Sequence, residues 1–115
     1  MDKERILLDT GDWIAIYDGY PVSPGHTLLI PKGHYETYFD LPGRLKGTFN
    51  GVLNEIKSIL DEKFHPDGYN IGMNCGAAAG QTIMHCHIHI IPRYEGDSDN
   101  PRGGVRGVIP SRMDY

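Results

Sequence analysis

Hydrophobic positions alternate with polar ones along several short stretches of the chain, and along one longer stretch they recur every three to four residues. Strands are predicted over 5–8, 12–17, 26–30, 69–74 and 84–91, where apolar and β-branched residues run between turn signals. Thr10 and Gly11 read as the turn between the first two strands, and Pro31 and Pro92 close the third and the last. Leu41, Leu45, Phe49, Val52, Leu53, Ile56, Ile59 and Leu60 define one apolar face of a helix, with Asp40 as its expected N-cap and Pro42 tolerated in the first turn. Pro66 and Gly68 mark the exit, and His65 there is expected to meet the negative end of the helix dipole. Gly43, Gly47 and Gly51 fall every fourth residue on another face of that helix. Hairpin-like pairs of strands around one long helix predict an α+β fold with an antiparallel sheet.

At 115 residues the chain is expected to form one domain over 1–115, burying about 65% of its unfolded surface, with 94–115, rich in Gly, Pro and Arg, as an extended C-terminal tail. The charged start, Met1 to Arg5, leads into no signal-type apolar run, and no stretch has the roughly 20 apolar residues that span a bilayer. A cytoplasmic setting is expected, with no membrane partner. The net charge of −4 argues against long nucleic acid, which wants a basic face, but not against a small anion in a local pocket. Cys75 and Cys86 are too few for a disulfide framework and read as reduced, small apolar side chains.

The chemistry concentrates in the last predicted strand. With a period of two, His85, His87 and His89 point to one face, and Cys86, Ile88 and Ile90 to the other. Half of the six histidines thus share one surface, which packing alone does not select. Two readings follow. Three imidazoles with an open fourth position make a catalytic zinc site. Alternatively one imidazole is a nucleophile and its neighbours set its tautomer, since histidine near its ordinary pKa of about 6.5 is a usable covalent catalyst. The preceding segment, Asn74 to Gly80, carries no bulky side chain, so its backbone N–H groups can approach an anion, and Gln81 and Thr82 add side-chain donors. A donor-rich loop beside an imidazole row favours the phosphate reading.

The string Gly80-Gln81-Thr82-x-x-His85-x-His87-x-His89-x-x-Pro92-Arg93 resembles the signature of the histidine-triad (HIT) family of nucleotide hydrolases and transferases. The upstream block Pro24-Gly25-His26-Thr27-Leu28-Leu29-Ile30-Pro31-Lys32 resembles that family as well, and Asp18 stands where members carry a ribose-binding polar residue. The resemblance implies that His87 attacks the α-phosphorus and forms a nucleotidyl-histidine that water resolves. It implies that His89 stabilises charge on the phosphate, that His85 and His26 orient the nucleophile, and that Asn74, Gly80 and Thr82 contact phosphate. It implies an antiparallel sheet with a long helix, and homodimers that join their sheets. Many relatives carry a Cys-x-x-Cys segment ahead of this region and use it for structural zinc; without it no metal site is expected here, and no tightly bound cofactor beyond magnesium entering with a polyphosphate substrate. Trp13, Tyr17 and Tyr20 are candidates for the wall of a base pocket, with plain packing as the alternative. The tail resembles that of some bacterial dinucleoside-polyphosphate members, so Arg102 and Arg106 are expected on distal phosphates. The resulting expectation is a hydrolase of nucleoside phosphoanhydrides or phosphoramidates. Dinucleoside polyphosphates lead, adenosine phosphoramidates or transfer to phosphate are alternatives on the same site, and a noncatalytic nucleotide-binding module is the rival of another class.

Overall fold

A computed structural model of the protein describes residues 3–115; Met1 and Asp2, part of the charged start, lie outside it. Five strands form one sheet: β1 (Ile6–Asp9), β2 (Trp13–Tyr17), β3 (Thr27–Pro31), β4 (Gly68–Gly72) and β5 (Ile88–Arg93), with the helix α1 (Gly43–Phe64) between β3 and β4. The sheet order is β1-β2-β3-β5-β4 and every pairing is antiparallel. The α+β class and the single long helix agree with the hydrophobic pattern.

The core lies between α1 and one sheet face. Leu45, Val52, Ile56 and Leu60 are the buried residues of α1, spaced as one stripe of a helix. They cluster with Trp13, Ala15, Leu29, Ile88 and Ile90 from β2, β3 and β5. Trp13 is fully buried there, its indole N–H donating to the Thr48 hydroxyl at 2.9 Å, and Tyr17 meets Phe64 edge-on. Tyr20 is 93% exposed. Packing therefore explains Trp13 and Tyr17. Gly43, Gly47 and Gly51 have open space where a Cβ would stand, so they answer no close approach within the chain.

Besides shifts of one or two residues at the ends of the other strands, three features differ from the sequence reading. The helix starts at Gly43 with Pro42 at its N-cap position. Asp40 instead closes a capping box with Thr37 on the short 3-10 helix Tyr38–Asp40, because its carboxylate reaches back to the Thr37 N–H at 3.1 Å. The last strand begins at Ile88 and continues through Pro92 to Arg93; Pro92 has no N–H to donate yet pairs with Tyr69. The segment after Arg93 is not extended throughout, since it winds into 3-10 helices at Gly104–Val108 and Pro110–Arg112. Among the described residues no helix is long and apolar enough to cross a membrane.

Ile56 is completely buried at the centre of the helix–sheet interface. Ile56→Ala is expected to cost about 2–5 kcal/mol, read as a lowered urea midpoint, whereas Glu55→Ala, one position away and exposed, should move it by no more than about 0.5 kcal/mol.

Candidate active site

The sheet face away from α1 carries the histidines. From His85 to Ile90 burial alternates, His85, His87 and His89 half-buried, Cys86, Ile88 and Ile90 buried. Only His89 lies within β5; the alternation continues through the preceding residues because Cys86 is tied down, its N–H donating to the Tyr35 carbonyl at 2.6 Å. Burial pushes the Cys86 thiol up to about 11, so it sits as an inert apolar group.

A cavity of about 470 Å³ lies over this row, lined by His85, His87, His89, Asp18, Asn74, Gly80, Gln81 and Thr82, with Leu28, Ile30 and Ile83 as its apolar wall. Seven residues singled out from sequence as catalytic or phosphate contacts therefore meet in one place, and Asp18 joins them. His26 lies behind them, 2% exposed. Arg102 and Arg106 do not line the cavity: both guanidinium groups sit over the Tyr115 ring, 4.7 and 5.1 Å from its centroid. The apolar wall comes from Leu28, Ile30 and Ile83, not from the aromatic residues of β2 and the following loop.

The proton on each ring follows from its fixed partners. The Val22 N–H donates to His26 Nδ1 at 3.0 Å. A neutral ring that accepts at Nδ1 carries its proton on Nε2, so His26 Nε2–H donates to His89 Nδ1 at 2.9 Å, with Asp18 Oδ2 3.5 Å away. His89 in turn must be protonated on Nε2. His87 Nδ1–H donates to the His85 carbonyl at 2.8 Å, which leaves the lone pair on Nε2. His85 Nε2–H donates to the Pro31 carbonyl at 3.2 Å, and its Nδ1 accepts from His34 Nδ1, 3.1 Å distant. The row thus offers one ring with a free lone pair, His87, flanked by a ring that can donate, His89.

His34 is the residue that sequence reasoning missed. It reads from sequence as a polar residue near a helix start, but the loop after β3 carries it onto His85. Its spacing of two residues after Lys32, which pairs with Asp9, gives no periodic signal.

The loop before the row is braced more than expected. It contains the 3-10 turn Ala77–Ala79, and the N–H groups of Ala79, Gly80 and Gln81 donate within the turn. Gly80 has φ +95°, a left-handed conformation that favours glycine. Gln81 is buried, accepts from the Gly76 N–H at 2.8 Å and gives both amide hydrogens away, to the Glu36 carbonyl at 2.6 Å and the Ile83 carbonyl at 3.1 Å. It holds the loop in place and has no hydrogen left for a ligand, contrary to the donor role expected of it. Asn74 and Thr82 line the cavity with no hydrogen-bond partner among the described residues, and they are the free side-chain donors.

Asp18, His26 and His89 bring three potential metal-ligand atoms within 4.8 Å of one another. The Val22 N–H disfavours a metal there. Ligation through His26 Nε2 would shift the ring proton to Nδ1, facing that N–H head on.

Desolvation holds His26 and His89 below the ordinary histidine range; His26 and His87 add to this at His89, and Asp18 opposes it at both. Groups with lowered folded pKa stay neutral while the unfolded chain takes up protons, so their full stability is present above about pH 6.5 and is lost as pH falls through the folded values. The stabilisation from Asp9, Asp61 and Asp97, held low chiefly by Lys32, Lys57 and Arg93, is fully present above about pH 4 and is lost only as pH falls below it. The urea midpoint is expected to be flat from about pH 7 to 8 and to fall between about pH 6.5 and 5, with a shallower fall in His26→Gln. A wild-type midpoint that holds steady to pH 5 would contradict this assignment.

Residues 2–96 match the HIT domain family. An uncharacterised HIT-like protein of Methanocaldococcus jannaschii is 44% identical over 90% of this chain and 81% of its own. An adenylylsulfatase of Arabidopsis thaliana is 42% identical over 73% of this chain, which spans 43% of that protein. The crystal structure of a hypothetical histidine triad nucleotide-binding protein from Sulfolobus tokodaii superposes with a TM-score of 0.77 at 38% identity, covering 83% of this chain and 64% of that one.

Proposed function

Because this chain belongs to the HIT domain family, we propose that it is an enzyme that transfers a nucleoside monophosphoryl group to water through a covalent intermediate on His87. One observation carries the reading: the His87 Nδ1–H is committed to the His85 carbonyl, so the lone pair of Nε2 is free in a cavity that also offers His89, Asn74 and Thr82.

The chemistry runs in two displacements. The Nε2 lone pair of His87 attacks the α-phosphorus in line with the leaving group. The P–O bond of an anhydride or the P–N bond of a phosphoramidate breaks, and its electron pair goes to the leaving atom, which takes up a proton. His89 Nε2–H, Asn74 and Thr82 meet the charge on the nonbridging oxygens. Water then attacks the same phosphorus, the bond to His87 returns its pair to Nε2, and nucleoside monophosphate leaves with release of a proton. Inorganic phosphate in place of water would make the reaction a phosphorolysis. Asp18 stands at the cavity's edge for ribose hydroxyls, with Leu28 and Ile30 against the base.

Dinucleoside polyphosphates and adenosine phosphoramidates both satisfy this scheme. For the former, Arg102 and Arg106 would have to leave Tyr115 to reach distal phosphates. Homodimer formation, a cytoplasmic setting and the lack of a tightly bound cofactor belong to the same proposal. Open space beyond the helix glycines and the outer position of β4 in the sheet support the pairing of two copies.

His87→Ala is expected to lower turnover of adenosine phosphoramidate by about 10³-fold or more, with smaller losses for His85→Ala and His89→Ala. Rapidly quenched wild-type protein should carry an acid-labile nucleotidyl adduct on the peptide holding His87. An adduct mapped elsewhere, or near-normal turnover in the alanine variant, would sink the assignment. Turnover of the phosphoramidate, which needs no magnesium to shield a polyphosphate, should survive exhaustive chelation; stoichiometric zinc together with zinc-dependent activity would move the reading to a metal site.

A further inference from the structure

Residues 81–87 carry His85 and His87 but lie ahead of β5. Backbone without a regular ladder needs other partners to hold one direction. Three consecutive residues of the loop after β3 supply them. His34 meets the His85 ring, Nδ1 to Nδ1, at 3.1 Å. The Tyr35 carbonyl accepts from the Cys86 N–H at 2.6 Å. The Glu36 carbonyl accepts from the Gln81 amide, also at 2.6 Å. The segment 34–36 is thus a clasp laid along the reactive stretch. It is fixed from behind as well. A Cβ at Gly33 would stand 2.7 Å from the Tyr35 ring, so that ring lies close over the backbone leading into it. Tyr35 also packs against the core cluster, and Thr37 is closed into its capping box with Asp40.

The middle bond of the clasp governs where the nucleophile points. In a trans peptide the C=O and the following N–H point in opposite directions. The Cys86 N–H points to Tyr35, so the His85 carbonyl of the same peptide unit points away from Tyr35. It meets His87 there and accepts its Nδ1–H at 2.8 Å. The remaining freedom is rotation at the His85 Cα, and the His85 ring limits it. Nε2–H of that ring donates to the Pro31 carbonyl at 3.2 Å, and its Nδ1 accepts from His34. The bond to Pro31 alone leaves the ring free to swing about one point; the His34 N–H supplies the second. His34 itself is exposed and does not line the cavity, so it acts on the chemistry through His85 and not by touching a substrate.

We infer that His34 is a positioning residue for the nucleophile. Its Nδ1–H holds the His85 ring and, together with the Tyr35 carbonyl, keeps the His85 carbonyl aimed at Nδ1 of His87. The Nε2 lone pair of His87 is thereby turned to the cavity. The kinetic consequence rests on the nucleotidyl-transfer reading; the geometry does not.

The kinetic test uses adenosine 5′-phosphoramidate. In His34→Ala, kcat should fall by about 10-fold while KM stays within about 2-fold, because a misaimed nucleophile weakens the transition state and not ground-state binding. In His34→Asn the amide nitrogen stands where Nδ1–H stood, and kcat should return to within about 3-fold of wild type. The position is exposed, and a thermal melt checks that both variants are folded. A raised KM with unchanged kcat would place His34 on the substrate and overturn the inference. Equal losses in the two variants would overturn it too, since a merely structural ring is not rescued by a donor. Imidazole ¹⁵N spectra of the unliganded protein give a readout that needs no turnover. Wild type should show the proton of His87 on Nδ1 and that of His85 on Nε2. His34→Ala should shift both rings toward a mixture of tautomers, and His34→Asn should keep them. Unchanged ring nitrogens in His34→Ala exclude the positioning role. If wild type does not turn over the phosphoramidate while His34→Ala still shifts the rings, the reaction falls and the clasp stands. If His87→Ala abolishes turnover while His34→Ala alters neither kcat nor the spectra, the reaction stands and the clasp falls.

Discussion

The Val22 N–H donates to Nδ1 of His26 at 3.0 Å, and the protonation pattern on that side of the site follows from this bond. An imidazole free in water exchanges its proton between two nitrogens, and a cluster of such rings has no fixed polarity. Here main-chain groups, which cannot titrate, decide. Val22 fixes His26, His26 fixes His89, the His85 carbonyl fixes His87 and the Pro31 carbonyl fixes His85. One ring is left with a lone pair and its neighbour with a hydrogen. Burial favours the neutral form of His26 and His89, so that pair keeps its arrangement at neutral pH.

The support of the row is layered outward in the same way. Gln81 uses every hydrogen of its amide on backbone carbonyls, and the turn Ala77–Ala79 closes on its own N–H groups. The loop is therefore a rigid frame that presents Asn74 and Thr82, the two side chains left unspent. Preorganised donors of this kind do not have to reorient when charge develops on a phosphate, which is where such sites gain most of their effect.

Periodicity made the central facts legible: two-residue alternation put His85, His87 and His89 on one face and Cys86, Ile88 and Ile90 in the core, and three-to-four spacing marked the stripe of α1. Position-specific partners were not legible. Asp40 follows the rule for a helix cap but serves a shorter helix, because Thr37 stands three residues before it. Gln81 has the chemistry of a phosphate donor, and only the folded chain shows that Glu36 and Ile83 claim its hydrogens. His34 lacks any period linking it to His85, 51 residues away. The tail arginines were visible as charges, but their stacking on Tyr115 depends on turns that Gly103 and Gly104 permit and that composition alone does not locate.

The strand order has a consequence for how the molecule comes into being. β5 is inserted between β3 and β4, so the two halves of the sheet are not joined until a segment far along the chain docks between strands made much earlier. Thr27 pairs with Ile90 across 63 intervening steps of sequence, a closure that is slow relative to local hairpins. On a ribosome, β1, β2, β3 and α1 emerge with one sheet edge still open, and an open edge is a template for wrong partners. The strand that seals this edge is the one that carries His89 and draws His87 into place. The chain therefore sets its histidine row in place in the same event that covers the open edge of β3, and a nascent or nicked molecule without β5 would have neither His89 over the cavity nor a continuous five-stranded sheet.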